Sequence, residues 1–430
     1  MSQASTAIER GTKNYRHANL ALFFAGFVTF STLYTFQPLF PILVADFSIS
    51  PATASLTLSV ATFALAWMMP ISGSFSDVYG RKTLMGIALL LTSLLALVSA
   101  ATTTLPALLI VRLLQGAVLA GVPAVAMAYL NDEMSPRAIG AAMGLYIAGN
   151  ACGGMTGRIL TSFLVDILSW RETVAIIGLL ALLLSILFWL LLPASRNFNS
   201  QPLNLKRLSS TLLQHLREPG LLCLFALAFL LMGGFVTVYN YATFYLLAPP
   251  WDLSQSQVAL IFIAYAFGAG GSSVIGGLTE RFGRPRLLLI ALGIMAAGII
   301  LTLIDALPAI ILGIIVFTIG FFAAHALASA WVGARTTTAR AQASSLYLLA
   351  YYLGSSISGT GGGFVWSAAG WYGVVGLVLL MLGLAGAVIQ VLTCLESAKS
   401  GTTCFAGRLL CRLSGKSQAS LLAEAPLNKE

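Results

Sequence analysis

"GSFSDVYGRK", residues 73–82, sets Asp77, Arg81 and Lys82 side by side in a chain that is 58% hydrophobic and only 9% charged. "GGLTERFGRP", residues 276–285, repeats its skeleton. Gly73, Asp77, Gly80 and Arg81 correspond to Gly276, Glu280, Gly283 and Arg284, each 203 residues further on. Other landmarks recur at nearly the same shift. "LYIAGN" at 145 answers "LYLLAY" at 346, Trp170 answers Trp371, Gly116 answers Gly320, and Tyr34 answers Tyr239. A charged turn repeated almost half a chain apart implies one plan used twice.

The background to these turns is apolar. Soluble domains are about a quarter charged, whereas this chain has a mean hydropathy of +0.91. Most of it divides into runs of about 20 residues, the length of helix that crosses a bilayer. Twelve are predicted: 20–44, 55–76, 84–104, 106–130, 138–165, 172–193, 221–248, 256–279, 286–305, 307–332, 341–367 and 371–394. Several abut so closely that their turns must be tight. The first 17 residues hold no apolar core, so no cleavable signal peptide is expected. The fold class expected is an all-α membrane protein of 12 transmembrane helices. Its two six-helix halves are related by a pseudo-two-fold axis around a central cavity, as in carriers that rock about one site. The expected divisions are a first bundle (1–193), a polar linker (194–220), a second bundle (221–394) and a tail (395–430).

Basic residues set the orientation. Arg112 and Arg158 fall within runs and Arg171 at the start of one; the remaining Lys and Arg all lie on one side. The opposite turns carry Asp46, Asp166, Asp252 and Asp305. Positive-inside bias predicts that both termini and the charged hairpins face the cytoplasm. The net charge of +9 is spread over short turns, so no nucleic-acid partner is expected. None of the five cysteines has C-x-x-C spacing, and free thiols are expected.

Ionisable residues inside a membrane are costly and are candidates for function. Three qualify here: Arg112, Arg158 and His325. Each arginine lies six or seven residues from the acidic-side end of its run, so both guanidinium groups could enter the outer half of one cavity. The bland alternative is that each snorkels or binds helix-end carbonyls. His325 is the proton-site candidate, because its charge changes near neutral pH and no carboxylate lies within the first or fourth run. With arginines and no buried acid, the cavity suits anionic or neutral organic solutes. Tyr34 and Gln37, Tyr146 and Asn150, Tyr239 and Asn240, and Tyr347 and Tyr351 are predicted to line it. "GSSISGTGGG", 354–363, reads as close helix packing, since no Walker lysine follows it.

Over residues 18–394 the chain resembles the major facilitator superfamily, in its drug-exporter-like branch. The most specific likeness is the hairpin Gly-x-x-x-Asp-(Arg)-x-Gly-Arg-(Lys/Arg). Gly73, Asp77, Gly80, Arg81 and Lys82 match it, and Val78 departs from it. The second copy has Arg281 at the bracketed position and Glu280 as its acid. Arg112, Gln115 and Gly116 match a second family element, Arg-x-x-Gln-Gly, which the resemblance links to proton coupling. In "GNACGG", 149–154, Asn150 stands where exporter branches carry Pro. "GLYIAGNACGGMTGR" and "ASSLYLLAYYLGSSISGT" are similar to a bacterial inner-membrane group, the YnfM-like transporters. The resemblance implies that Gly73, Asp77, Gly80, Arg81, Gly276, Glu280, Arg281, Gly283 and Arg284 form gates, with Asp77 at the start of the eleventh helix and Glu280 at the start of the fifth.

Other classes fit less well. A P-loop is missing, His17, His215 and His325 are too far apart for a metal site, and the filter or charge rings of a channel are not present. A lipophilic-cation exporter, an importer and a membrane sensor remain as alternatives. The expectation is a monomeric, proton-linked secondary transporter that exports a small organic solute. Its partners would be solute, protons and lipid, with neither cofactor nor metal.

Overall fold

The computed structural model describes residues 7–197, 205–336 and 339–399, without the side chains of 205–208, 272–274, 276, 277, 280, 398 and 399. Among them helix prevails, and the only β pairing is an isolated bridge between Ile8 and Met134. Nine described helices are long and apolar enough to cross a membrane.

The apolar runs all fall on helices. The first is split into α1 (Lys13–Tyr34) and α2 (Phe40–Phe47) around Pro38, and α3 (Pro51–Tyr79) and α4 (Arg81–Ala100) follow. The fourth is split into α5 (Leu105–Leu119) and α6 (Pro123–Glu133). Pro123 opens α6 because proline lacks the N–H that a continuing helix needs. Next come α7 (Ile139–Val165), α8 (Trp170–Leu191), the short linker helix α9 (Leu205–Leu216) and α10 (Pro219–Leu247). The eighth run comprises α11 (Gln255–Ala259), a 3-10 turn (Leu260–Ile263) and α12 (Ala264–Phe282). Then come α13 (Arg284–Leu301), α14 (Leu307–Arg335) and α15 (Arg340–Lys399), which holds the last two runs and breaks at Gly370.

The repeated hairpins are as tight as the sequence requires. One residue separates α3 from α4 and α12 from α13, Gly80 at φ 89° and Gly283 at φ 75°. Only glycine takes such angles without strain. At the other end, capping boxes at Ser169/Glu172 and Ser254/Gln257 start α8 and α11 by satisfying their first amides.

Small residues set the helix contacts, as lipid gives helices no hydrophobic reason to associate. Gly149, Gly153 and Gly157 form one face of α7, and a Cβ on any of them would run into α1 at Phe23, Phe27 or Ser31. In α15, Gly354 meets the Phe229 backbone and Gly362 meets Thr237 and Tyr241 of α10. The run at 354–363 is therefore a packing surface, as expected.

The halves of the chain meet mainly along α3 with α15 and along α7 with α11. Thr62 and Ser356 hydroxyls pair at 2.7 Å, and Thr360 donates to Ser59 at 2.8 Å. A Cβ on Gly363 would lie 2.5 Å from Ala52 Cα. At the acidic end the Ser256 amide donates to Asp166 at 2.9 Å. Toward the basic end, each ion pair among the described residues stays within a half. Arg81 binds Asp77 at 2.6 Å and Asp132 at 3.1 Å, while Arg335 binds Glu218 at 3.0 Å and Glu396 at 2.8 Å. The halves are thus closed together at the acidic end.

Cys152 and Cys223 are free, as expected. Cys394 is disulfide-bonded, which corrects the expectation there: the C-x-x-C rule does not test pairings of longer spacing. Cys404 and Cys411 lie outside the described residues.

Candidate functional site

Arg158 sits where the halves join. It is 2% exposed, on α7, one residue past the glycine that seats the helix against Ser31. Its Nε donates to Gln37 Oε1 at 2.6 Å and its Nη1 to the Gly154 carbonyl at 2.6 Å. The guanidinium carbon lies 3.7 Å from the ring centre of Tyr34, 5.2 Å from that of Phe262 and 5.0 Å from that of Tyr265. Tyr34 belongs to the first half of the chain, Phe262 and Tyr265 to the second. Among the described residues no carboxylate reaches salt-bridge distance of Arg158. Aromatic faces and amide oxygens stabilise this buried cation in place of a counter-ion.

Gln37 carries the connection across the middle. Its Nε2 donates to Asn240 Oδ1 of α10 at 2.7 Å. Gln37 lies in the first half and Asn240 in the second, 203 residues on, so this bond ties the halves together. Both are fully buried, and Asn240 Nδ2 has no hydrogen-bond partner.

From there a continuous set of rings leads to His325. Tyr239 lies 5.1 Å from Tyr265 and 4.9 Å from Phe235, and Phe235 stacks on Phe321 at 3.7 Å. Phe321 lies parallel to the His325 ring at 6.0 Å, and Tyr351 is 4.7 Å from His325 on another side. His325 Nδ1 and the Tyr347 hydroxyl hydrogen-bond at 3.0 Å. His325 is half-buried and Tyr347 fully so. The Tyr239 hydroxyl is satisfied by Thr318 at 2.7 Å, as a buried tyrosine requires.

The structure therefore brings Tyr34, Gln37, Arg158, Tyr239 and Asn240 into one cluster, and Tyr347, Tyr351 and His325 into a second joined to it by rings. Other predicted residues lie elsewhere. Tyr146 and Asn150 belong to the contact of α7 with α1, where Asn150 Oδ1 presses on Gly26. The glycine row turns that side of α7 toward α1.

Arg112 is also not in the cluster. It is fully buried within the first half, where Nε donates to the Thr57 carbonyl at 2.8 Å, Nη1 to Thr32 at 3.2 Å and Nη2 to Leu33 at 2.7 Å. Nη1 also binds Gln115 Oε1. Thr32 and Leu33 are near the end of α1, where helix carbonyls lack partners and the helix dipole favours a cation. The expectation that both arginines share a cavity is corrected here, because the break at Pro38 draws Arg112 to carbonyls. Gly116 completes the brace: its Cβ would strike the Ala61 backbone of α3.

The gate residues divide as well. Asp77 pairs with Arg81, four residues on in the same hairpin; residues 337 and 338, which lead into α15, lie outside the described residues. Arg81 further binds Ser76 and Asp132. Arg281 lies over the Phe282 ring at 5.2 Å, and Gly283 makes the turn before Arg284. Gly73 has open space around it. The side chain of Glu280, and Gly276, lie outside the described side chains. Phe235, Phe262, Tyr265 and Phe321 were not singled out from sequence, because an aromatic residue in an apolar run carries no polar signal. The density of rings in 262–267 and 317–325 was the available hint.

Buried polar groups where two sets of apolar helices meet suit a membrane transport protein, and the family and relatives of this chain are transporters, not enzymes. The chain belongs to the Major Facilitator Superfamily, whose family model matches residues 22–251. It is 45% identical over 377 residues to the MFS-type transporter YybF of Bacillus subtilis, covering 88% of this chain and 93% of that one. It is 44% identical over 385 residues to the inner membrane transport protein YnfM of Escherichia coli, covering 90% and 92%. Among solved structures it is similar in fold to a bacterial homologue of the human lysosomal transporter Spinster in an inward-facing, unoccupied conformation. That match has a TM-score of 0.71 at 17% identity and covers 88% of this chain and 97% of the other. A D-xylose–proton symporter matches at a TM-score of 0.68 and 17% identity, over 88% and 96%.

Proposed function

We propose that the protein is a proton-coupled secondary transporter of the bacterial inner membrane that exports a small anionic or neutral organic solute by alternating access. In this reading the helices make twelve spans in two six-helix bundles, 1–193 and 221–394, with the linker, both termini and the basic end in the cytoplasm. The observation that carries it is Arg158: a buried cation with no carboxylate at salt-bridge distance among the described residues, held by side chains of both halves. A solute anion supplies the missing charge, and rings around it offer apolar contact to the rest of the molecule. Closure at the acidic end corresponds to access from the cytoplasm. His325, joined to the site through stacked rings, is the proton-carrying group. Arg112 is a brace that holds the broken α1 in place. The repeated hairpins, with Asp77 and Arg81 in one and Arg281 and Arg284 in the other, form the basic-end gate.

Thermal stability of the purified protein with phenylphosphonate, benzamide and tetraphenylphosphonium tests the solute class, since a ligand of the folded state raises Tm with its concentration over Kd. Stabilisation by phenylphosphonate is expected, and its loss in Arg158→Ala. Stabilisation by tetraphenylphosphonium alone overturns the anion reading in favour of a lipophilic-cation exporter. His325→Ala is expected to keep solute exchange and lose pH-driven accumulation.

A further inference from the structure

Arg158, Gln37 and Asn240 form a chain whose direction is fixed. A guanidinium only donates, so Gln37 must turn Oε1 toward Arg158, as the 2.6 Å bond records. Gln37 Nε2 then faces Asn240, which must answer with Oδ1, at 2.7 Å. Asn240 Nδ2 is left over, buried and without an acceptor. Rotating either amide relieves that donor only by setting a donor against a donor further along. This arrangement joins the halves through Gln37 and Asn240 while one buried polar atom stays unsatisfied.

We propose that Gln37 occupies the seat of the solute's anionic group on Arg158, so that solute arrival unlocks the acidic end. This rests on the anionic solute proposed above. An anionic oxygen makes a stronger, charge-assisted bond to Arg158 than an amide oxygen does. An anion that takes the edge of Arg158 carrying Nε cannot sit there while Gln37 Oε1 is 2.6 Å away, so binding on that edge requires the Gln37 amide to leave. Oε1 and Nε2 belong to one rigid amide plane, and the bond to Asn240 leaves with it. The displaced link is one that ties the two halves, and its loss frees them to separate at the acidic end. Asn240, with both Oδ1 and Nδ2 then free, faces the solute. Occupancy is coupled to opening through one side chain.

The test is a distance between spin labels at Tyr79→Cys and Phe282→Cys, exposed residues of the two basic-end hairpins, in a full chain whose native cysteines are serine. Phenylphosphonate is expected to shorten this distance as the basic end closes. Gln37→Ala should show the short distance without solute and bind phenylphosphonate roughly threefold more tightly, its competitor being gone. Gln37→Glu, with a carboxylate held against Arg158, should bind it at least roughly tenfold more weakly. Asn240→Ala breaks the link without vacating the seat and should shift the distance with no gain in affinity. Gln37→Ala that binds more weakly than wild type, with an unchanged distance, overturns the proposal by making Gln37 an ordinary ligand. If no form binds phenylphosphonate, the anionic solute class is wrong and the seat falls with it. Binding in wild type that neither Gln37 variant alters refutes the seat alone.

Discussion

In the first half of the chain α7 rests on α1 through Gly149, Gly153 and Gly157; in the second, α15 rests on α10 through Gly354, Ser358 and Gly362. The shift of 201 that relates Trp170 to Trp371 carries Gly153 onto Gly354 and Arg158 onto Gly359. The packing row is therefore kept in both halves while the chemistry beside it is not. Arg158 fills one side of the axis, and the equivalent glycine has Asn240 Nδ2 for a neighbour. Likewise the shift from Gly116 to Gly320 sets Arg112 against Val316. α1 is broken and needs a cation at its end; α10 runs unbroken for 29 residues and needs none. The packing scaffold is kept in both halves, and the buried arginines stand in one of them.

The sharpest way to break this comparison is at Arg112. Arg112→Ala strands the carbonyls of Thr32, Leu33 and Thr57 in the interior and should cost about 3 kcal/mol or more, read as lost expression and a lower Tm. Val316→Ala, at the equivalent place, should cost about 1 kcal/mol. Equal losses at both would show that Arg112 only fills space.

The next effect should be symmetrical. Gly153→Val and Gly354→Val each force a side chain into a neighbouring backbone, and each should cost about 1–3 kcal/mol by thermal unfolding. A large loss in one and none in the other would contradict a shared scaffold.

The smallest effect concerns the basic ends. In the second half Arg335 ties the start of α10 to the ends of α14 and α15 through Glu218 and Glu396. In the first, Glu133 accepts from the Asn197 amide at 3.0 Å, and Ile8 donates to the Glu133 carbonyl at 2.7 Å. Partial burial raises the Glu218 carboxyl, but hydrogen bonds from Arg335 and the Leu221 amide outweigh it and hold the group near 2, against an ordinary 4.5. A depressed folded-state value gives stability that is present above 4.5 and is lost as pH falls toward 2. Glu218→Gln should lower stability by about 1 kcal/mol at neutral pH and flatten the acid limb of the Tm profile. A parallel profile in wild type and variant would remove Glu218 from that account.

Much of the fold was legible because its signals are local. Apolar length gives the helices, Gly80 and Gly283 the one-residue turns, and the spacing in 354–363 the packing face. Arg-x-x-Gln-Gly was legible as a pattern, but its work as a brace was not. That depends on the break near Pro38, which leaves carbonyls open 80 residues away. The Gln37–Asn240 bond joins residues 203 apart, so periodicity says nothing of it. Phe262 and Tyr265 were hidden for the opposite reason: rings that cradle a cation look like any others in a greasy helix.

The account turns on Arg158 as the solute seat of a proton-driven carrier. Its most direct test is uptake of phenylphosphonate by inverted membrane vesicles holding wild type or Arg158→Ala, with the interior made acidic. The account predicts accumulation in wild type that a protonophore abolishes, and none above background in Arg158→Ala. Equal accumulation in both, or accumulation of tetraphenylphosphonium alone, would contradict it.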